Sequence, residues 1–280
     1  MKTFYKELKI ILFIVGILLL LLNIYGLFIP LHSPLLNNKN LYKNKTSDEI
    51  TMSKEEVFEK LKNKKGSDKE FVEIANNAIH EGILHYWDDE LAKEFNLLIP
   101  IYENYLLFLS SYIRPDIFKK YEFCGLWKKG VEQGVGWCTQ SSALLTYALR
   151  DRDIESDIYV MLYHAVSLVK VQDNEWWVAD PDYGVIIPHS IQKIESNPEL
   201  IRPFYQAKDF NNEQIDTLIK IFDKNNPDEQ KIGYIRDTNY CTYRHKPFEY
   251  LVYFLKWLIP LLLIFPLIYS SIPRKKYENE

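Results

Sequence analysis

Three residues in this 280-residue chain have the types and order that thiol chemistry needs: Cys138, His164 and Asp180. A cysteine acts as a nucleophile through its thiolate, and a free thiol has a pKa of about 8.5. Cys138 follows Gly134-Val135-Gly136-Trp137 and opens the helical run Thr139 to Arg150. Unpaired backbone N–H groups and the macrodipole at a helix start favour an anion there. The glycines before it let backbone approach a substrate closely. A thiolate of this kind needs a base, and the base needs a group that fixes its tautomer. His164 opens a strand-like run and is the candidate base. Asp180 closes the next such run and is the candidate orienter, with Asp182 two residues on as the alternative. A lone buried cysteine is otherwise a small apolar residue, and a lone histidine a structural one; the joint arrangement favours chemistry.

The elements around these residues are legible in the pattern. Ser53 with Glu56, and Ser67 with Glu70, are capping-box signatures for two short helices. A third helical pattern runs from Leu91 towards Tyr112, is interrupted by Pro100 and ends at Arg114-Pro115. The apolar and aromatic residues of region 53–114 read as core rather than binding surface. Residues 121–136, with four glycines, read as a loop leading into Cys138. Strands are expected over Ile158 to Leu162, Ala165 to Val171 and Trp176 to Ala179, with a short one at Val185 to Ile187. Helices are expected over Ile191 to Leu200 and Asn212 to Phe222. His80, His85, Asp88 and Asp89 form a cluster with metal-ligand chemistry. Five-residue spacing on a helix sets the two histidines about 140° apart, so no metal site is expected there. The three cysteines lack zinc-ribbon spacing.

The segment Gly136 to Arg150, then His164-Ala165-Val166-Ser167-Leu168-Val169, then Trp177-Val178-Ala179-Asp180-Pro181 resembles the core of the transglutaminase-like superfamily. The likeness covers about 50 residues and rests on a cysteine starting a helix, a histidine opening a strand and an aspartate ending the next strand after a tryptophan. It implies an α+β, papain-like core with Cys138 as nucleophile, His164 as base and Asp180 as orienter. It also implies acyl chemistry without metal or organic cofactor: thiolate attack on an amide or ester carbonyl, then transfer to water or an amine. The oxyanion hole is expected to include the Cys138 backbone N–H, with Gln133 or Trp127 as side-chain donor.

Two apolar runs set the location. Ile10 to Ile29 carries no charge, and its 20 residues match a bilayer core. Tyr250 to Ile272 contains Lys256, Pro260 and Pro266; a lysine can snorkel to the interface and prolines are tolerated in membrane helices. Lys2, Lys6 and Lys9 before the first span, and Arg274, Lys275 and Lys276 after the second, put both termini in the cytoplasm and the intervening domain outside it. In that compartment Cys124 and Cys241 could pair and leave Cys138 free. Asn44-Lys45-Thr46 matches an N-glycosylation acceptor, meaningful only in a eukaryotic secretory route. A net charge of −4 gives no footprint for nucleic acid.

The expected organisation is therefore a tail and first transmembrane helix (1–30), a linker (31–52), a helical subdomain (53–114), a transglutaminase-like domain (115–246), and a second transmembrane helix with its tail (247–280). The bilayer and an envelope peptide or glycan are the expected partners; oligomeric state is left open. The expected function is a membrane-anchored cysteine hydrolase or acyltransferase. The alternative is a non-catalytic envelope or polysaccharide-assembly module using the same fold.

Overall fold

The computed structural model describes residues 2–41, 50–62, 66–86, 88–238, 241 and 245–271. The glycosylation pattern at Asn44 and the basic residues Arg274, Lys275 and Lys276 lie outside them.

The protein is mixed α+β with an apolar helix at each end. α1 (Lys2–Gly26) and α12 (His245–Ser271) pack together along their length and are each long and apolar enough to cross a membrane. Between them, α2 (Lys54–Lys62) and α3 (Asp68–Gly82) start at their capping boxes: the Ser53 backbone N–H donates to Glu56, and Ser67 and Glu70 cap each other. α3 stops at Gly82, and Leu84–His85 form a short strand β1. Between Leu91 and Asn104 the chain makes turns, and helix α4 covers only Tyr105–Ile113, followed by α5 (Pro115–Phe118).

The glycine-rich stretch expected as a loop contains helix α6 (Trp127–Gln133), which ends on Gly134 at φ 76°. Glycine there serves packing and not only a turn. A Cβ on Gly130 would lie 2.5 Å from a Leu144 methyl, so its absence lets α6 press against the next helix. Strand β2 (Val135–Gly136) pairs with β1 in parallel, setting His85 opposite Gly136. α7 (Cys138–Arg150) follows at once.

Four antiparallel strands then form a meander in chain order: β3 (Ser156–Met161), β4 (His164–Gln172), β5 (Glu175–Asp180) and β6 (Val185–Ile187). Strand alternation gives the sheet two apolar faces. One packs with α7, α3 and α2 through Val169, Val171, Ala179, Leu145 and Val72. The other carries Val166 and Val178 and is covered by α8 (Ile191–Ser196), α9 (Arg202–Gln206) and α10 (Asn212–Phe222). A short α11 (Pro227–Ile232) leads back towards α12.

The start of α12 is built into the folded domain. Glu249 accepts from the backbone N–H of Cys124 and of Leu126 at 2.7 and 2.8 Å, and Tyr253 donates to Glu103 at 2.7 Å. Lys256 is buried and donates to the Glu103 carbonyl at 2.6 Å, so the 100–105 segment supplies the acceptor for its ammonium.

Candidate active site

α7 is fixed to the sheet by small polar side chains as well as by its apolar ones. Ser142 donates to the Ala165 carbonyl and Ser167 donates back to the Ser142 carbonyl, each at 3.0 Å. Thr146 donates to Ser167 at 3.1 Å, and Ser156 to the Thr146 carbonyl at 3.0 Å. All are buried, so every bond replaces one to water and fixes the helix in register and rotation against β4. At the other side Gln140 grips Phe123, accepting from its N–H at 2.6 Å and donating to its carbonyl at 2.8 Å. Gly136 makes room for this, since a Cβ there would sit 2.4 Å from the Gln140 side chain.

This docking brings Cys138 to the first position of α7, beside the start of β4. Trp137 is the N-cap and supplies no side-chain cap bond, so the first N–H groups of the helix are left to another acceptor. The β4–β5 register sets Ser167 opposite Ala179, which puts His164 diagonal to Asp180 on the same face. His164 Nε2 and Asp180 Oδ2 are 2.7 Å apart. With Nε2 on the aspartate, Nδ1 is the ring nitrogen left to interact with the Cys138 thiol, whose pKa His164 lowers. Asp180 is further held by the Tyr205 hydroxyl at 2.5 Å and by the N–H groups of Asp182 and Tyr183 at 3.2 and 3.3 Å. The ring of Tyr183 stacks on His164 with centroids 5.2 Å apart.

The electrostatics follow from burial. Burial opposes charge on His164, but the Asp180 carboxylate and the thiol outweigh it and hold the imidazole well above its ordinary pKa. Burial also pushes the Cys138 thiol up; His164 pulls it down, and the charges of Asp182 and Glu122 push it up again. The chemical capability is a thiol whose proton can pass to an imidazole made more basic by a fixed carboxylate.

Asp182, the alternative orienter, belongs to a different histidine. Its Oδ1 lies 2.6 Å from His85 Nδ1, while its Oδ2 is buried without a hydrogen-bond partner. His80 bonds the Asp182 carbonyl at 2.9 Å and packs against Gly184, whose φ of 65° and lack of Cβ admit the ring. The two histidines expected to point apart thus converge on one residue. A 140° separation holds only on one continuous helix, whereas α3 ends at Gly82 and His85 stands on β1. The His85 ring meets Trp137 edge-on at 6.4 Å, next to the thiol. His85 was missed as a site residue because its proximity comes from the parallel β1–β2 pairing, which two-residue strands do not announce.

The two side chains expected as oxyanion-hole donors each hold another partner. Trp127 gives its only N–H to Asp151 at 2.9 Å, and the buried Gln133 amide donates to the Asn96 carbonyl at 2.6 Å. Both lie on α6, a helix where a loop was expected, and α6 turns them towards its own packing. Cys124 and Cys241 form a disulfide, and Cys138 is free. No family model, curated protein or solved structure matches this chain.

Proposed function

We propose that this chain is a membrane-anchored thiol enzyme of the transglutaminase-like kind, with Cys138 as nucleophile, His164 as base and Asp180 as orienter. The observation that carries the reading is the buried His164–Asp180 hydrogen bond at 2.7 Å, with the free thiol of Cys138 in the electrostatic reach of that histidine and at an uncapped helix start. In the reaction the Cys138 sulfur attacks a carbonyl carbon, and its proton passes to His164. The oxyanion is met by N–H groups at the start of α7. His164 returns the proton to the departing amine or alcohol as the C–N or C–O bond breaks, leaving a thioester. Water or an amine then gives its proton to His164, attacks the thioester and frees the sulfur. Two spans, with both termini in the cytoplasm, would hold the domain over cell-envelope peptide or glycan substrates.

One observation favours the non-catalytic reading: Cys138 is only 4% exposed. A thiol-directed activity probe on the full-length protein in membranes separates the two. Catalysis requires labelling at Cys138 that His164→Ala abolishes. An intact Cys138 after probe treatment, with a normal cellular phenotype in Cys138→Ala, would point to the binding module.

A further inference from the structure

Helix α4 is apolar on both sides. Leu107 faces inward to Val252 on α12. On the other side Leu109, Tyr112 and Ile113 stand at i, i+3 and i+4 and are 52%, 73% and 78% exposed. A helical stripe of that kind on a water-facing surface is out of place, and no charged side chain interrupts residues 105–113. The region was expected to be core.

Its height along the apolar helices says what covers it. The Tyr105 hydroxyl and the Asn23 amide both donate to the Lys256 carbonyl, at 3.3 and 2.5 Å. Asn23 lies within the apolar part of α1, three residues before its end at Gly26. Tyr102 packs on that end: its ring meets Tyr25 edge-on at 5.9 Å, and its carbonyl occupies the space a Gly26 side chain would need. From there the chain climbs along α12, since Phe118 meets Phe248, two turns before Lys256, with ring centroids 5.5 Å apart. Two turns are about 11 Å. α4 therefore starts at the level at which α1 leaves its apolar stretch, where Leu27 and Phe28, just past the end of α1, and Ile101, beside Tyr102, are exposed as well. Arg114, which donates twice to Asp116, and Lys119 follow at its far end and give it a polar edge.

We propose that α4 is an interfacial membrane helix, with Leu109, Tyr112 and Ile113 seated in the leaflet on the side of the folded domain. The proposal rests on α1 and α12 crossing the bilayer. It makes the contact with lipid three-sided: two spans and one half-sunk helix that, through Glu103, Lys256 and Glu249, is tied to the loop gripped by Gln140 of α7. The domain is then held at a set tilt over the surface, and accessible carbonyl groups are those close to the membrane.

The test places the photoreactive residue p-benzoylphenylalanine in the full-length protein, reconstituted in vesicles of phosphatidylethanolamine and phosphatidylglycerol. The replaced positions are Leu109 or Ile113, with Leu18 of α1 as lipid-facing control and Thr217 of α10 as water-facing control. Lipid adducts at Leu109, Ile113 and Leu18, with none at Thr217, are expected. Adducts at Leu18 alone, or cross-links from Leu109 or Ile113 to a second copy of the chain, would overturn the seating of α4. Loss of the Leu18 adduct as well would instead overturn the membrane crossing on which it rests.

Discussion

Two histidine–aspartate pairs flank the thiol, and they differ in almost every physical respect. His164–Asp180 is fully enclosed, and Asp180 accepts from an imidazole, a phenol and two backbone N–H groups. His85–Asp182 is partly open on the histidine side, and one oxygen of its carboxylate is buried without a hydrogen-bond partner. The first pair raises the base and draws the thiol pKa down through it; the second pushes that pKa up through the charge of Asp182. Two carboxylates two residues apart thus act on one sulfur with opposite sign. The lesson is that proximity to a thiol does not define an orienter: the partner each carboxylate holds does.

Four changes break or sharpen this contrast. The largest effect is expected from His164→Ala, which removes the base and the group that pulls the thiol pKa down. Alkylation of Cys138 by iodoacetamide near neutral pH should fall by about 10²- to 10⁴-fold; a rate within a few-fold of wild type would end the catalytic assignment. Next comes Asp180→Asn. Asp180 raises the His164 pKa, so its neutralisation lowers it, the imidazolium is lost at lower pH, and the thiol titrates higher. The pH–rate midpoint for alkylation should move up by about one unit or more.

Asp182→Asn should do the reverse. Asp182 raises the thiol pKa, so removing its charge moves the midpoint down, by about one unit or less. An upward shift in both variants would show that the two carboxylates are equivalent after all. The smallest effect is expected from Tyr205→Phe, which deletes one hydrogen bond to a charged group. Urea unfolding should show a loss of about 1.5–3 kcal/mol with the alkylation midpoint close to wild type. A midpoint shift as large as that of Asp180→Asn would promote Tyr205 to a partner in setting the base.

Much of the site's content was legible because it depends on residue type and local order. Cysteine at a helix start, histidine at a strand start and aspartate at a strand end are all local statements, and α7, β4 and β5 begin and end where those residues stand. Structure departs from the local pattern where non-local packing overrides it. Four glycines signalled a loop at 121–136, but Gly130 is there to let α6 approach Leu144. The 53–114 stretch was taken as core throughout, and α4 instead exposes an apolar stripe, because an amphipathic pattern does not say which apolar solvent covers it. The side-chain partners of Gln133 and Trp127 depended on a helix that was not foreseen.

The sequence by itself determined the cysteine, histidine and carboxylate and their order, two apolar helices of membrane length, and an α+β order of elements. Those properties follow from periodicity, hydrophobic length and capping chemistry, each decided within a few turns of chain. Only the tertiary structure decided that Asp180 and not Asp182 holds His164, that His85 stands beside Trp137, and that Ser142, Thr146 and Ser167 lock the thiol helix to its strand. The reason is geometric: strand register and helix rotation are set by contacts between residues far apart in sequence, and a shift of one residue would turn a strand side chain to the opposite face and a helical one by about 100°.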